Sequence, residues 1–260
     1  GTAISAVRGL DLSGRPWDNG WSPPQAPGDS LEQHIYHFSP WRSFDRFTLS
    51  DLARTERVPR SNEHKANDGR YAVIINEYAW LWLNRDGSPT TLTSGFYHHA
   101  LGEQANPAQR RHLYATHFAA ETEFWRSYRK VAALMHFCSL GYSRADGQTS
   151  DNWADVTKLI WEPEFHRYVR DAFAPVGLML EFWSERVLAG TAARLPVRLI
   201  NDLAQPWAGE VQLRLRRAGA VAGFPVIAQS GRMEPLGQTT LEFAIPWPQE
   251  PGAYVLEAEL

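Results

Sequence analysis

Two hydrophobic patterns divide the chain. Up to about Asp171, short apolar runs alternate with segments whose apolar residues recur every three to four positions; beyond it, apolar and polar residues alternate one by one. Ile4, Val7 and Leu10 sit at helical spacing. Arg15 to Asp18 is a brief extended piece running into the turn-prone DNGWSPPQAPGD, and Gln33 to Phe38 reads as a strand. A helical segment is expected around Phe44 to Arg54, followed by the polar loop RVPRSNEHKANDGR. Tyr71 to Asn76 is then a buried strand that ends at Glu77. Pro107 opens a long helix to about Lys130, because proline is favourable in a first helical turn. Its predicted buried stripe is Leu113, His117, Ala120, Phe124 and Tyr128. Ala133 to Tyr142 reads as another buried strand, and strand alternating with helix predicts a parallel α/β sheet.

After the helical EPEFHRYVRDAF and Pro175 come Val176 to Trp183, Leu195 to Asn201, Gly209 to Arg217, Thr239 to Ile245 and Gly252 to Leu260. Alternating strands at this spacing, separated by Gly, Pro and Asn turns, predict an antiparallel sandwich. The boundary falls at about 172 to 176, giving an α/β region over 1–173 and an all-β region over 174–260. The opening residues read as the end of a helix, and GAYVLEAEL as a strand that lacks its turn and partner, so both ends are expected to be truncated.

At 260 residues and 43% apolar composition the chain can bury one large core or two modest ones. A net charge of -3 gives no reason to expect a nucleic acid partner. Cys138 is the lone cysteine, so an internal disulfide is impossible. No apolar stretch approaches the roughly 20 residues that span a bilayer. TSDNWADV has the form of a capped helix start, with Ser150 or Asp151 as N-cap.

The segments RPWDNGW, HIYHFSP, YAVIINEYAWLWLNRDG, EFWRSYRKVAALMHFCSLGYS and LPVRLINDLAQPWAGEVQLRLR, in that order, resemble the C-terminal part of glycoside hydrolases of family 2, the β-galactosidase, β-glucuronidase and β-mannosidase group. The resemblance implies the C-terminal half of a (β/α)8 TIM barrel followed by an immunoglobulin-like β-sandwich. It also implies retaining cleavage of a β-glycosidic bond in a carbohydrate substrate, without a cofactor or metal. In that family the acid/base glutamate ends the fourth barrel strand and the nucleophile ends the seventh. Only Ala133 to Tyr142 separates Glu77 from the sandwich, so Glu77 matches the nucleophile, and the first four strands of the barrel are the missing N-terminal half. An open half barrel exposes strand edges and is expected to associate.

Retaining chemistry needs two carboxylates about 5 to 5.5 Å apart. Glu63, in SNEHK, also follows an asparagine but lies in a polar loop; the alternative is an acid/base residue upstream of Gly1. Strand alternation sets His34, Tyr36 and Phe38 on one face and Val73, Ile75 and Glu77 on one face of the next strand. The resemblance suggests that His34 contacts substrate hydroxyls and that Tyr36 hydrogen-bonds the nucleophile; otherwise the pair fills the barrel mouth. Trp80 and Trp82 could stack on a sugar face or serve as core, and Asp18 and Trp21 are further candidates for substrate contact. His98, His99, His112, His117 and Glu121 do not form a metal set: the first two diverge, and His117 with Glu121 at i and i+4 reads as a solvated helix pair. Two classes remain, a retaining glycosidase and a non-catalytic carbohydrate-binding or scaffold protein on the same fold.

Overall fold

The computed structural model describes residues 2–20, 22–37, 48–57, 70–141 and 143–260. The predicted substrate contact at Trp21, the weighed second carboxylate Glu63, and Phe38 and Tyr142 lie outside the described residues. The described residues divide into two compact units. One takes in parts of 1–47, 55–118 and 128–167; the other takes in 48–54, 119–127 and 168–260.

In the first unit, helix α1 (Thr2–Arg8) precedes a parallel sheet of β1 (Ser30–Ile35), β2 (Ala72–Tyr78) and β3 (Ala133–Leu134), in the order β1, β2, β3. Asp18 adds an isolated parallel bridge to Ser30. Burial explains the near-continuous apolar run of β2, whose Ile75 and Tyr78 are fully enclosed. The register carries one irregularity. Gln33 pairs with Ile75, but the next residue, His34, pairs with Glu77, so Asn76 is an extra residue in β2. Such a bulge re-aims side chains at a strand end. The predicted strand to Tyr142 contracts to the two residues of β3; Met135, Phe137 and Leu140 are exposed, so its apolar run does not mark a buried strand.

Helix α2 (Ser94–Leu101) has no counterpart in the sequence reading. Its Tyr97 is buried and donates its hydroxyl to the Leu81 carbonyl at 2.6 Å. Helix α3 (Pro107–Ser127) begins at the expected proline, and Asn106 and Gln109 exchange side-chain to backbone hydrogen bonds at 2.9 Å, a reciprocal cap. Its buried face is rotated from the predicted stripe. Tyr114, Ala115 and Phe118 are enclosed, whereas Leu113, His117, Ala120 and Tyr128 are half-buried. Aromatic packing sets this rotation: Phe118 stacks on Tyr78 at 5.0 Å and lies 4.3 Å from His136, ring centre to centre. Glu121 is buried, which corrects its reading as a solvated partner of His117.

The expected helix start at TSDNWADV is instead a hairpin, β4 (Trp153–Asp155) against β5 (Ile160–Trp161). Ser150 and Asp151 are fully buried and committed elsewhere, Ser150 to the Tyr114 hydroxyl at 2.8 Å and Asp151 to Arg85 at 2.6 Å. Trp153 and Trp161 stack 3.8 Å apart across the hairpin. Helix α4 (Pro163–Ala172) follows as predicted.

The second unit holds β6 (Val176–Leu180), β7 (Ala192–Asn201), β8 (Trp207–Arg217), β9 (Ile227–Met233), β10 (Gln238–Pro246) and β11 (Tyr254–Glu259). They form two antiparallel sheets, ordered β10, β7, β6 and β11, β8, β9. Alternate residues converge on one apolar core: Leu195, Val197 and Leu199 from β7, Val211, Leu213 and Leu215 from β8, and Phe243 and Ile245 from β10. Strand β9 escaped the sequence reading because IAQSGRM has little alternation. A Cβ at its Gly231 would lie 2.8 Å from the end of the Leu199 side chain, which would have to shift to admit it.

Candidate active site

The C-terminal ends of β1 and β2 bring five polar side chains together. Glu32 and His34 on β1, and Tyr36 just beyond its end, lie at every second position and turn to the same side. Ordinary alternation on β2 would send Asn76 and Glu77 to opposite faces. The bulge lets both meet β1: Asn76 donates its side-chain amide to Glu32 Oε1 at 2.8 Å, and Glu77 Oε2 lies 3.2 Å from His34 Nδ1.

Glu77 also accepts a hydrogen bond from the Tyr36 hydroxyl. The phenol is held firmly in its protonated form, because burial and the adjacent Glu77 carboxylate both push its pKa far up. It is thus a donor at every physiological pH. His34 is gripped from its other side by Glu32 Oε1, in close contact with Nε2. The His34 and Glu32 side chains are 8% and 9% exposed, against 23% for Glu77. Glu77 is therefore the most exposed of the three side chains.

Asp18 sits at the rim and shares a hydrogen bond with Glu32, and its carboxyl also accepts from the Gly20 amide at 3.0 Å. Desolvation and the Glu32 carboxylate push its pKa up to about 6. Burial would raise Glu32 too, but hydrogen bonds from Asp18, Asn76 and His34 outweigh it and hold that carboxyl low. Of the two, Asp18 is therefore the one that takes up a proton first as pH falls, near pH 6.

Trp80 and Trp82 form the floor. Both are buried, and their indole N–H groups donate to the Leu92 and Phe137 carbonyls at 2.9 and 2.8 Å. The Tyr36 ring meets them edge-on, at 4.9 and 5.8 Å between centroids. They hold Tyr36 in place with their polar atoms already committed, so the structure puts them behind Tyr36 and not on an open stacking face. Cys138 is also close enough for the Glu77 charge to act on its thiol, whose pKa is raised chiefly by burial.

The structure thus brings together His34, Tyr36, Glu77 and Asp18, with Trp80 and Trp82 behind them. Glu32 is absent from the sequence-derived candidates, although its place two residues before His34 and four before Tyr36 is a readable signal. Asn76 figures there only as the neighbour of Glu77. Its contact with Glu32 depends on the bulge, which no residue pattern announces. Among the described residues, no group of three or more His, Cys, Asp or Glu is arranged to hold a metal ion, and no helix is long and apolar enough to cross a membrane.

No protein-family model matches the chain, and no curated protein matches it. Among solved structures it is similar to a β-D-mannosidase from Dictyoglomus thermophilum, with 11% sequence identity and a TM-score of 0.49, over 92% of this chain and 30% of the mannosidase chain. The chain therefore spans about 30% of the length of that protein.

Proposed function

We propose that this chain is the C-terminal part of a retaining glycoside hydrolase that cleaves a β-glycosidic bond, with Glu77 as the nucleophile. The observation that carries the reading is the hydrogen bond from Tyr36 to Glu77 at the C-terminal end of a parallel strand. A buried phenol that cannot ionise donates to one oxygen of the carboxylate and leaves the other free to attack. In this reading the parallel segments at Asp18, β1, β2 and β3 are the last four strands of a (β/α)8 barrel, and residues 174–260 are an immunoglobulin-like sandwich that follows it in the chain.

The chemistry follows from the site. Glu77 attacks the anomeric carbon as the bond to the leaving oxygen breaks, passing through an oxocarbenium-like transition state to a covalent glycosyl ester. Water then releases the sugar with the original configuration. His34 lies beside Glu77, with its Nδ1 3.2 Å from Oε2. The acid/base carboxylate belongs to a barrel strand that precedes this chain.

The test exploits the division of labour between the two carboxylates. A 2-deoxy-2-fluoro-β-glycosyl fluoride leaves as fluoride without protonation and forms a long-lived ester, so the nucleophile can be trapped without its acid partner. Incubation with the manno, gluco and galacto reagents should place an adduct on the peptide containing Glu77, and Glu77→Gln should abolish it. In the full-length protein the same substitution should lower turnover at least about 1000-fold without unfolding. Near-normal turnover in that variant would sink the assignment and leave the carbohydrate-binding or scaffold reading.

A further inference from the structure

We infer that Glu32 is a positioning residue for Glu77, acting through His34: it grips the far ring nitrogen of His34 and so sets the near one against the Glu77 carboxylate. This rests on the reading of Glu77 as the nucleophile.

The geometry is a chain of contacts across the two strand ends. Asp18 hydrogen-bonds Glu32, Glu32 Oε1 meets His34 Nε2, and His34 Nδ1 lies 3.2 Å from Glu77 Oε2. An imidazole held at one nitrogen can still pivot about its side-chain bonds; held at both, its plane and position are defined. Glu32 is itself fixed by the Asn76 amide at 2.8 Å. The bulge supplies both halves of this arrangement, since Asn76 and Glu77 are consecutive residues reaching the same cluster.

The chain of contacts also specifies where hydrogens sit. An ionised carboxylate only accepts, so the ring nitrogen that meets Glu32 does so as a donor. Among the described residues, the groups that meet His34 include Glu32, Tyr36 and Glu77, with Asp18 and Asn76 one contact further out and Cys138 within reach of the Glu77 charge. Tyr36 keeps its hydrogen for Glu77, and Asp18 is the member of its pair with Glu32 whose pKa is raised, to about 6. Glu32 is therefore the acceptor for the far ring nitrogen of His34. Because both side chains are more than nine-tenths enclosed, solvent does little to replace the contact if it is lost.

Two readouts test this. The first is nitrogen NMR of the 15N-histidine-labelled chain at pH 7, with His34 assigned from the signals lost in His34→Gln. The His34 nitrogen that meets Glu32 should carry a hydrogen in the wild type, and its signal should shift in Glu32→Gln. The second is the kinetics of Glu77 labelling by the fluorosugar fluoride. Glu32→Gln should slow the covalent step about 10- to 100-fold with little change in reagent dissociation constant. Glu32→Asp, which keeps the charge but withdraws it by about one carbon–carbon bond, should fold and show a smaller slowing.

A His34 ring unchanged in a folded Glu32→Gln overturns the inference, whatever the labelling shows. So does an altered ring with an unchanged labelling rate, since that makes Glu32 structural only. A wild type that is never labelled, with the NMR change present, overturns the nucleophile reading and leaves the grip on His34 supported.

Discussion

Glu77 and Tyr36 are separated by 41 positions in sequence, yet their bond follows from two facts about single residues: Tyr36 turns to the same side as His34, and Glu77 lies at the end of the neighbouring parallel strand. Tyr36→Phe removes one charged hydrogen bond without changing the packing against Trp80 and Trp82. Fluorosugar labelling of Glu77 should slow about 10- to 200-fold, with thermal stability nearly unchanged. His34, Glu32 and the tryptophans differ in how far the residue pattern exposes them. Alternation alone sets His34 beside Tyr36. Glu32 obeys the same alternation, but a carboxylate inside a strand signals function only once its partners are known. The burial of Trp80 and Trp82 depends on the Leu92 and Phe137 carbonyls, 12 and 55 positions away, which no local pattern contains. His136 makes a different prediction. Enclosed by Tyr78, Tyr114, Phe118 and Phe165, it is kept neutral, its pKa pushed from 6.5 down to about 3 by burial. Because the unfolded chain takes up this proton and the folded chain resists it, stability should fall as pH drops from about 6.5 towards 3. The slope from this residue is at most about 1.4 kcal/mol per pH unit. His136→Phe should show a shallower loss of Tm than the wild type over that window.

At the scale of elements, the punctuation of the chain was more legible than its packing. Pro107 marks the start of α3 because a proline lacks only a donor that the first turn would leave unused. The rotation of its buried face was not legible, since Tyr114 and Phe118 are selected by ring contacts with distant residues. TSDNWADV misled because Ser and Asp serve a helix cap and a buried polar turn equally well, and the choice was made by Arg85 and Tyr114. The turn after Trp82 shows how tightly such connections are built. Gly87 has φ of 78°, accepts from Arg110 Nε at 2.7 Å, and would bring a Cβ within 2.8 Å of the Pro107 Cβ. Gly87→Ala should therefore lower unfolding free energy by about 1–3 kcal/mol in urea denaturation, combining strained backbone with a clash at the start of α3.

At the scale of the whole molecule, the change from mixed strand and helix to strand alone was visible near Asp171, whereas the compact units part at 167/168 and the second also takes in 48–54 and 119–127. The apolar core of the two antiparallel sheets is drawn from residues 176–258. A chain of residues 174–260 should thus fold by itself and give a single cooperative thermal transition by circular dichroism; a non-cooperative melt would show that it needs the residues that precede it. The parallel sheet has no such closed core of its own strands, because β3 offers only two residues of pairing at one side. The Tyr36 phenol bridging Glu77 to the two enclosed indoles has an optical consequence. Trp80 and Trp82 are shielded fluorophores that pack directly against the residue touching the carboxylate. Any molecule that shifts Tyr36 alters their emission, so occupancy of the cleft can be followed by intrinsic fluorescence in the unlabelled chain.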